Sequence, residues 1–74
     1  MIRELERVAL AVDRPDEGLR AGDIGTVVMV YDGGRGYEVE FVALTGETVA
    51  VVTLPAAAVR TFQKREIASA RAVA

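Results

Sequence analysis

The stretch YDGGRGYEVEF, residues 31–41, has the pattern of a β-hairpin. Its DGG sequence, residues 32–34, supplies the positive backbone φ angles that tight turns between antiparallel strands require. The strand that follows alternates between apolar or aromatic side chains and acidic ones: Tyr37, Val39 and Phe41 against Glu38 and Glu40. Because successive side chains of a strand point to opposite faces, we predict one face in the core and one largely in water.

Short apolar runs on both sides of this hairpin predict further strands. Residues 8–12 (VALAV) and 26–31 (TVVMVY) are typical of strands, and Gly25 before the second run indicates a bulge or a close approach of two backbones. Residues 47–54 (ETVAVVTL) are almost continuously apolar. This composition predicts a strand that is covered on both faces and is the most buried element of the fold.

The segment after this strand completes the predicted architecture. Pro55 ends the strand and suits the first position of a single helical turn over residues 55–59, before a brief fifth strand at residues 60–62. The sequence therefore predicts an all-β fold, a small SH3-like antiparallel barrel of about five strands with a short helical turn before the last strand. We place the barrel in residues 1–62 and expect its closure to remove exposed strand edges.

Residues 63–74 form a tail with a different composition. They are rich in Ala, Lys, Arg and Glu, which favour helices, but a helix of this length is marginal in water unless it packs. A weak apolar stripe falls at helical spacing: Ile67, Ala70 and Val73 or Ala74. The tail is predicted to form a C-terminal helix, to stay disordered or to dock on the barrel.

Composition limits what the chain can be. At 74 residues it is near the size at which a single core only just outweighs chain entropy. It has no Cys and no His, so disulfides and zinc sites built on those residues are excluded. No apolar run approaches the about 20 residues that span a bilayer, and the first residues lack a signal-peptide pattern. We therefore expect a soluble, cytoplasmic protein without membrane contact.

The net charge of −2 is unevenly distributed. Residues 7–62 contain five basic and eight acidic side chains, whereas residues 63–74 contain three basic and one acidic. An acidic body disfavours nucleic acid, whose binding depends on Lys and Arg that neutralise phosphates. Nucleic acid is accordingly an unlikely partner.

Four short motifs together carry a family resemblance: residues 17–19 (EGL), 22–28 (GDIGTVV), 37–41 (YEVEF) and 53–55 (TLP). Over about residues 7–60 the chain resembles a bacterial family of short proteins described as domain of unknown function 4926. The resemblance implies an SH3-like barrel and no established activity. The GDIGTVV motif is also similar to the start of a strand in ribosomal and transcription-factor KOW modules, a likeness of backbone shape that does not imply function.

The inventory of reactive side chains predicts that the chain is not an enzyme. Without His or Cys, and with a single Ser at position 69, nucleophilic triads and histidine acid/base chemistry are excluded within the chain. Glu38 and Glu40 lie on one strand face at roughly 6.5–7 Å, a separation that some glycosidase carboxylates share. A barrel this small offers little depth to raise the pKa of either group by burial.

No metal site or cofactor is predicted. Asp13, Asp16 and Glu17 supply oxygen ligands on one loop, but they lack the alternating spacing and central glycine of a calcium loop. The glycine-rich turn at residues 33–36 joins two strands and precedes no helix, so we interpret it as a turn and not as a phosphate-binding loop.

We expect a non-enzymatic binding module that engages a protein partner, preferably a basic one, through an acidic surface. The hairpin would present the candidate contact residues Tyr31, Asp32, Arg35, Glu38 and Glu40. Glu47 and the loop at residues 13–17 would extend this acidic surface. By analogy with other small acidic bacterial proteins, an antitoxin or immunity-type partner is the most specific form of this expectation.

Two alternatives stay open. A KOW-like, nucleic-acid-associated module would use the basic side chains of the tail, Lys64, Arg65 and Arg71. A homo-oligomeric structural subunit would gain stability through self-association, which a small core favours.

Overall fold

A computed structural model describes residues 1–73, in which the chain forms five strands and two single 3₁₀ turns. The strands are β1 (Arg7–Leu10), β2 (Ile24–Tyr31), β3 (Gly36–Val42), β4 (Thr48–Pro55) and β5 (Val59–Arg60). The 3₁₀ turns are Pro15–Glu17 and Ala56–Ala58. All strand pairs are antiparallel. The predicted all-β, SH3-like architecture, with a helical turn before the last strand, is confirmed.

The five strands form one sheet in the order β4-β3-β2-β1-β5, which curls into a half-barrel. Within residues 1–73 no strand pairing joins β4 to β5, so both remain edges of the sheet. The expectation that closure of the barrel removes the exposed edges is therefore wrong, because the sheet curls only into a half-barrel. β5 has only two residues, and a short edge limits pairing with other chains. β4 is an edge of eight residues.

The hairpin of β2 and β3 has the predicted turn chemistry. Tyr31 lies opposite Gly36 where the ladder ends. Between them, Asp32, Gly33 and Gly34 all have positive φ, at 49°, 67° and 111°. The carbonyl of Tyr31 accepts a hydrogen bond from the N–H of Gly34 at 3.0 Å. The chain thus reverses within four residues, which fixes the register of β2 against β3.

The core fills the concave side of the sheet. It is built from buried apolar side chains of all five strands, the first loop and the second 3₁₀ turn: Val8, Leu10, Leu19, Val27, Tyr37, Val39, Phe41, Val52, Leu54, Ala58 and Val59. The predicted inward face of β3 is therefore confirmed. Every member of this cluster comes from between residues 8 and 59, so the tail contributes none of them.

The prediction that β4 is covered on both faces is wrong. Only Val52 and Leu54 of this strand are buried, and Val51 keeps 51% of its surface exposed. The physical reason is that the chain forms a single curled sheet, whose outer face no second layer covers. As an edge strand, β4 also has only one neighbour to shield it. A continuous apolar run therefore leaves apolar side chains on the outer surface.

Gly25 of β2 stands where the inner face leaves no room for a side chain. A Cβ atom built on it would lie 2.6 Å from Cγ1 of Val39, 2.9 Å from the carbonyl oxygen of Glu40 and 3.0 Å from Cδ1 of Phe41. Real Cβ atoms do not approach other atoms this closely. The close approach predicted from a glycine within a strand pattern is confirmed at this position.

Replacing Gly25 with Ala should lower the free energy of unfolding by about 2 to 3 kcal/mol, because the added methyl overpacks the core. Equilibrium denaturation with urea measures the loss. Gly33→Ala is the matched control: its Cβ meets no atom within 4 Å, so only the strain of its positive φ remains, about 1 kcal/mol. Equal stabilities of Gly25→Ala and the unmodified chain would contradict the packing described here.

The tail does not form the helix that was predicted as one of its alternatives. Residues 63–73 are irregular, with one turn at residues 64 and 65, and Ile67 of the predicted apolar stripe is 89% exposed. Docking is the alternative that the structure shows, since side chains of the tail pair with groups on the barrel. A lone helix of this length gains too little from propensity to compete with those contacts. Ala74 lies outside the described residues.

No helix in residues 1–73 has the length and apolar character needed to cross a bilayer.

Candidate functional site

The outer face of strands β2 to β4 brings acidic, hydroxyl-bearing and apolar side chains together. The cross-strand register and the hydrogen bonds place these residues on it: Thr26, Met29, Tyr31, Glu38, Glu40, Val42, Thr48, Val51 and Thr53. We call this set the carboxylate face. Its two glutamates belong to β3, the middle strand of the three, because their neighbours Tyr37, Val39 and Phe41 point into the core.

Glu38 is held by hydroxyl groups from both neighbouring strands. The hydroxyl of Tyr31 donates a hydrogen bond to Oε1 at 2.6 Å, and the hydroxyl of Thr53 donates a longer one to the same oxygen at 3.4 Å. The hydrogen bond to Glu38, together with partial burial and the negative charge of Glu38, raises the pKa of Tyr31 above its ordinary value. The phenol is thus a fixed donor at neutral pH.

Glu40 has a similar arrangement one row further along the sheet. It lies opposite Thr26 of β2 and Val51 of β4. The hydroxyl of Thr48 donates a hydrogen bond to its Oε2 at 2.7 Å. Both carboxylates of β3 are therefore half-buried and oriented by bonds from adjacent strands.

Exposed apolar side chains surround the two carboxylates. Met29 stands opposite Glu38 and is 45% exposed, while Val42 at the end of β3 is 44% exposed. Val28 lies at the irregularity of β2 between Val27 and Met29, and it is also exposed. The face therefore combines fixed negative charge with apolar surface that is open to water.

The structure places the predicted contact residues in two groups. Tyr31, Glu38 and Glu40 share the carboxylate face, whereas Asp32 and Arg35 lie in the exposed turn at the tip of the hairpin. Sequence reasoning did not find the apolar members of the face, Met29 and Val51. The alternation of side chains on β2 and β4 is the signal that places both residues on the outer face, and the continuous apolar run of residues 47–54 obscures it.

The other predicted acids are engaged locally. Asp13 accepts a hydrogen bond from the N–H of Ala21 at 2.9 Å, and Glu17 forms an ion pair with Arg14 at 3.5 Å. Glu47 accepts a hydrogen bond from the hydroxyl of Thr45 at 2.6 Å. Across the described part of the chain, no group of three or more acidic side chains is arranged to hold a metal ion.

A second charged site lies where the tail meets the first loop. The Arg71 guanidinium donates from Nε to Oδ1 of Asp23 at 2.9 Å, and a second nitrogen donates to Oδ2. The same nitrogen donates to the carbonyl oxygen of Gly18 at 3.2 Å. The bonds from Arg71, with help from the N–H of Arg20, hold the pKa of Asp23 below its ordinary value despite partial burial.

A second ion pair fixes the start of the tail. Both terminal nitrogens of Arg60, the last residue of β5, donate to the carboxylate of Glu66, at 2.9 and 2.6 Å. The N–H of Gln63 donates to the same carboxylate at 2.6 Å. These bonds lower the pKa of Glu66 to about 2, with the Arg60 hydrogen bonds as the largest cause.

Two open grooves flank the docked tail. The larger has a volume of about 690 Å³ and lies between residues 68–73 and the turn that joins β3 to β4. The smaller, about 280 Å³, lies between residues 66–68 and the outer side of β1, where Ala9 is covered. Neither groove is lined by Glu38 or Glu40.

These features define a small SH3-like β-domain with two charged surface sites and a docked tail. The chain belongs to the family described as Domain of unknown function (DUF4926), whose sequence pattern matches residues 4–61. The resemblance found over residues 7–60 is thereby confirmed. No curated protein and no solved structure matches the chain. The match includes the carboxylate face and Asp23, and it ends before the tail.

Replacing Glu38 with Gln should lower the pKa of Tyr31 toward its ordinary value of 10.0, because the amide lacks the charge that retains the phenol proton. Ultraviolet titration in a Tyr37→Phe background isolates the single remaining phenol. Since the pKa is raised in the folded state, the bond stabilises the fold at neutral pH and is lost as the pH rises through that raised pKa. An unchanged titration curve would show that the two side chains are not bonded.

Strong acid should release the tail from the barrel. Asp23 and Glu66 both have lowered pKa values, so their stabilisation is complete above the ordinary carboxyl values of 3.8 and 4.5. It is lost as the pH falls through the folded-state values, which for Glu66 is about 2. Amide NMR shifts of residues 66–73 should follow this titration, and Glu66→Gln should remove its Glu66 component. Tail shifts that move only together with those of β3 would count against separate docking.

Proposed function

We propose that this domain is a non-enzymatic module that binds a basic protein partner through the carboxylate face. The observation that supports the proposal is the pair Glu38 and Glu40, each fixed by hydroxyl donors and bordered by exposed apolar side chains. Asp32 and Arg35, in the hairpin turn, would lie at the rim of this contact surface. A cytoplasmic setting and an antitoxin or immunity-type role are its most specific form.

Pre-orientation of the carboxylates favours recognition over mere solubility. Side chains that are already held by hydrogen bonds lose little further rotamer freedom when a partner arrives. An Arg or Lys of the partner can place its charged head at Glu38 or Glu40 and its aliphatic stem on Met29 or Val51. Opposite charge also accelerates encounter and selects against acidic competitors.

The placement of the same groups favours binding over catalysis. Tyr31 is protonated at neutral pH, and its hydrogen bond to Glu38 raises its pKa further above the ordinary value of 10.0, so it is a poor base or nucleophile there. Glu38 and Glu40 lie on the outer side of a sheet and line neither of the grooves. General acid and base groups usually act in sites that enclose a substrate.

The nucleic-acid alternative has less support than the sequence suggested. It depends on three basic side chains of the tail, and one of them, Arg71, is paired with Asp23. Lys64 and Arg65 are exposed at the turn of the tail. Two cations on an acidic body are a weak phosphate site. Self-association stays a prediction that light scattering across a dilution series tests.

Reversing both charges with Glu38→Lys and Glu40→Lys should abolish partner binding and leave the fold intact, because both side chains lie on the outer face. The measurement is affinity capture from extracts of the source cells, quantified by mass spectrometry, followed by titration of the purified partner. We expect affinity to fall by at least about tenfold. Thermal melting of the variant checks its fold.

The matched control is Glu4→Lys with Glu6→Lys, which changes the net charge equally at positions outside both the carboxylate face and the loop at residues 13–17. This control should retain the partner. Loss of the partner from both double variants would mean that net charge alone drives the capture. Retention by Glu38→Lys/Glu40→Lys would refute the proposed surface.

A further inference from the structure

The surface beneath the tail presents hydrogen-bond acceptors that suit an arginine side chain. Asp23 is fixed by the loop itself: its Oδ2 accepts a hydrogen bond from the N–H of Arg20 at 2.9 Å, and its carbonyl oxygen accepts one from Leu10 of β1 at 2.8 Å. Gly18, with φ at 74°, turns its carbonyl oxygen toward the same point. These groups belong to the region that matches the family pattern, and they do not depend on the tail.

The geometry favours arginine over lysine. Three oxygens, two from Asp23 and one from the backbone of Gly18, receive hydrogen bonds from a single guanidinium. A planar guanidinium offers several donors in a fixed fork, whereas an ammonium group acts as a point charge. The site is therefore selective for the planar shape of the guanidinium group as well as for its positive charge.

A second contact sets the direction and spacing of the bound segment. Arg60 holds the carboxylate of Glu66, five positions before Arg71. The exposed Ile67 and three small side chains separate the two. Val73 reaches the surface at Gly18, where an added Cβ would lie 3.7 Å from its Cγ1. An occupant must therefore bear an acid, then an arginine five positions later, on an irregular, extended chain.

The tail is a replaceable occupant of this surface. It contributes no member of the core cluster, and its ion pairs are at least partly exposed. The Arg60–Glu66 pair is about a third exposed, and surface pairs of this kind add little to the stability of a fold. The forked Arg71–Asp23 pair is less exposed, and it is the contact that another occupant would have to reproduce. The family pattern ends at residue 61, so the acceptor residues Gly18, Asp23 and Arg60 lie inside the matched region and the tail follows it.

We propose that this surface is a second protein-binding site, which takes an extended partner segment bearing an acid and, five positions later, an arginine. The partner's arginine would replace Arg71 at Asp23 and Gly18, and its acid would replace Glu66 at Arg60. The tail then acts as an intramolecular competitor. This site shares no residue with the carboxylate face, so either proposal can fail without the other.

The test uses the full-length chain and a fluorescent synthetic peptide with the sequence of residues 62–74 as probe. Glu66→Lys with Arg71→Glu places like charges opposite Arg60 and Asp23, which releases the tail from the surface. Fluorescence anisotropy should show that this released variant binds the peptide at least about tenfold more tightly than the unmodified chain, whose own tail competes. Thermal melting checks the fold, and the single variant Arg71→Gln should change peptide binding in the same direction.

Two matched controls address the arginine site directly. Adding Asp23→Asn to the released variant should abolish peptide binding, and a peptide with Arg71→Lys should bind about tenfold more weakly because a point charge cannot make the forked contact. The proposal would be overturned if neither change weakened peptide binding. It would also be overturned if the released variant did not bind the peptide. A dimer of the unmodified chain that Arg71→Glu dissociates would also overturn it, since a second copy would then be the occupant.

Discussion

The contact of Gly25 with the inner face of β3 is the constraint on which the rest of the structure depends. Val39 and Phe41 fill the space that any side chain at position 25 would need. Their packing holds β2 against β3 and lets the sheet curl around a core to which all five strands contribute. A domain of this size has little spare core, so one such contact decides whether the sheet can curl.

That inner packing also fixes what the outer surface presents. In a strand, a slip of one residue would move every side chain to the opposite face. With Val39 committed to the core, Glu38 and Glu40 must point outward, between hydroxyl groups and apolar side chains of the two neighbouring strands. The carboxylate face is thus a consequence of the core register, and its two charges cannot move without disturbing the buried residues.

Structural features that depend on residues close together in the sequence can be predicted from it. Features that depend on residues far apart in the sequence cannot. The glycine turn and the alternation of β3 are local patterns, and both predicted the hairpin correctly. The exposure of Val51 depends on how all five strands assemble into one curled sheet, which leaves the outer face of its edge strand β4 uncovered. Arg71 and Asp23 are 48 positions apart in the sequence. A count of charges along the sequence cannot detect their pairing, and it therefore places Arg71 in a free basic tail.

The docked tail gives the arginine site a threshold that an empty groove would lack. A tethered segment competes at an effective concentration in the about millimolar range, whatever the concentration of the protein. A partner segment therefore binds only when its affinity for the site is high enough to displace the tethered tail at that effective concentration. Segments with a lysine in place of the arginine lose the forked contact and fall below the threshold first. Weak contacts within the chain can in this way sharpen selection among partners while adding little to the stability of the fold.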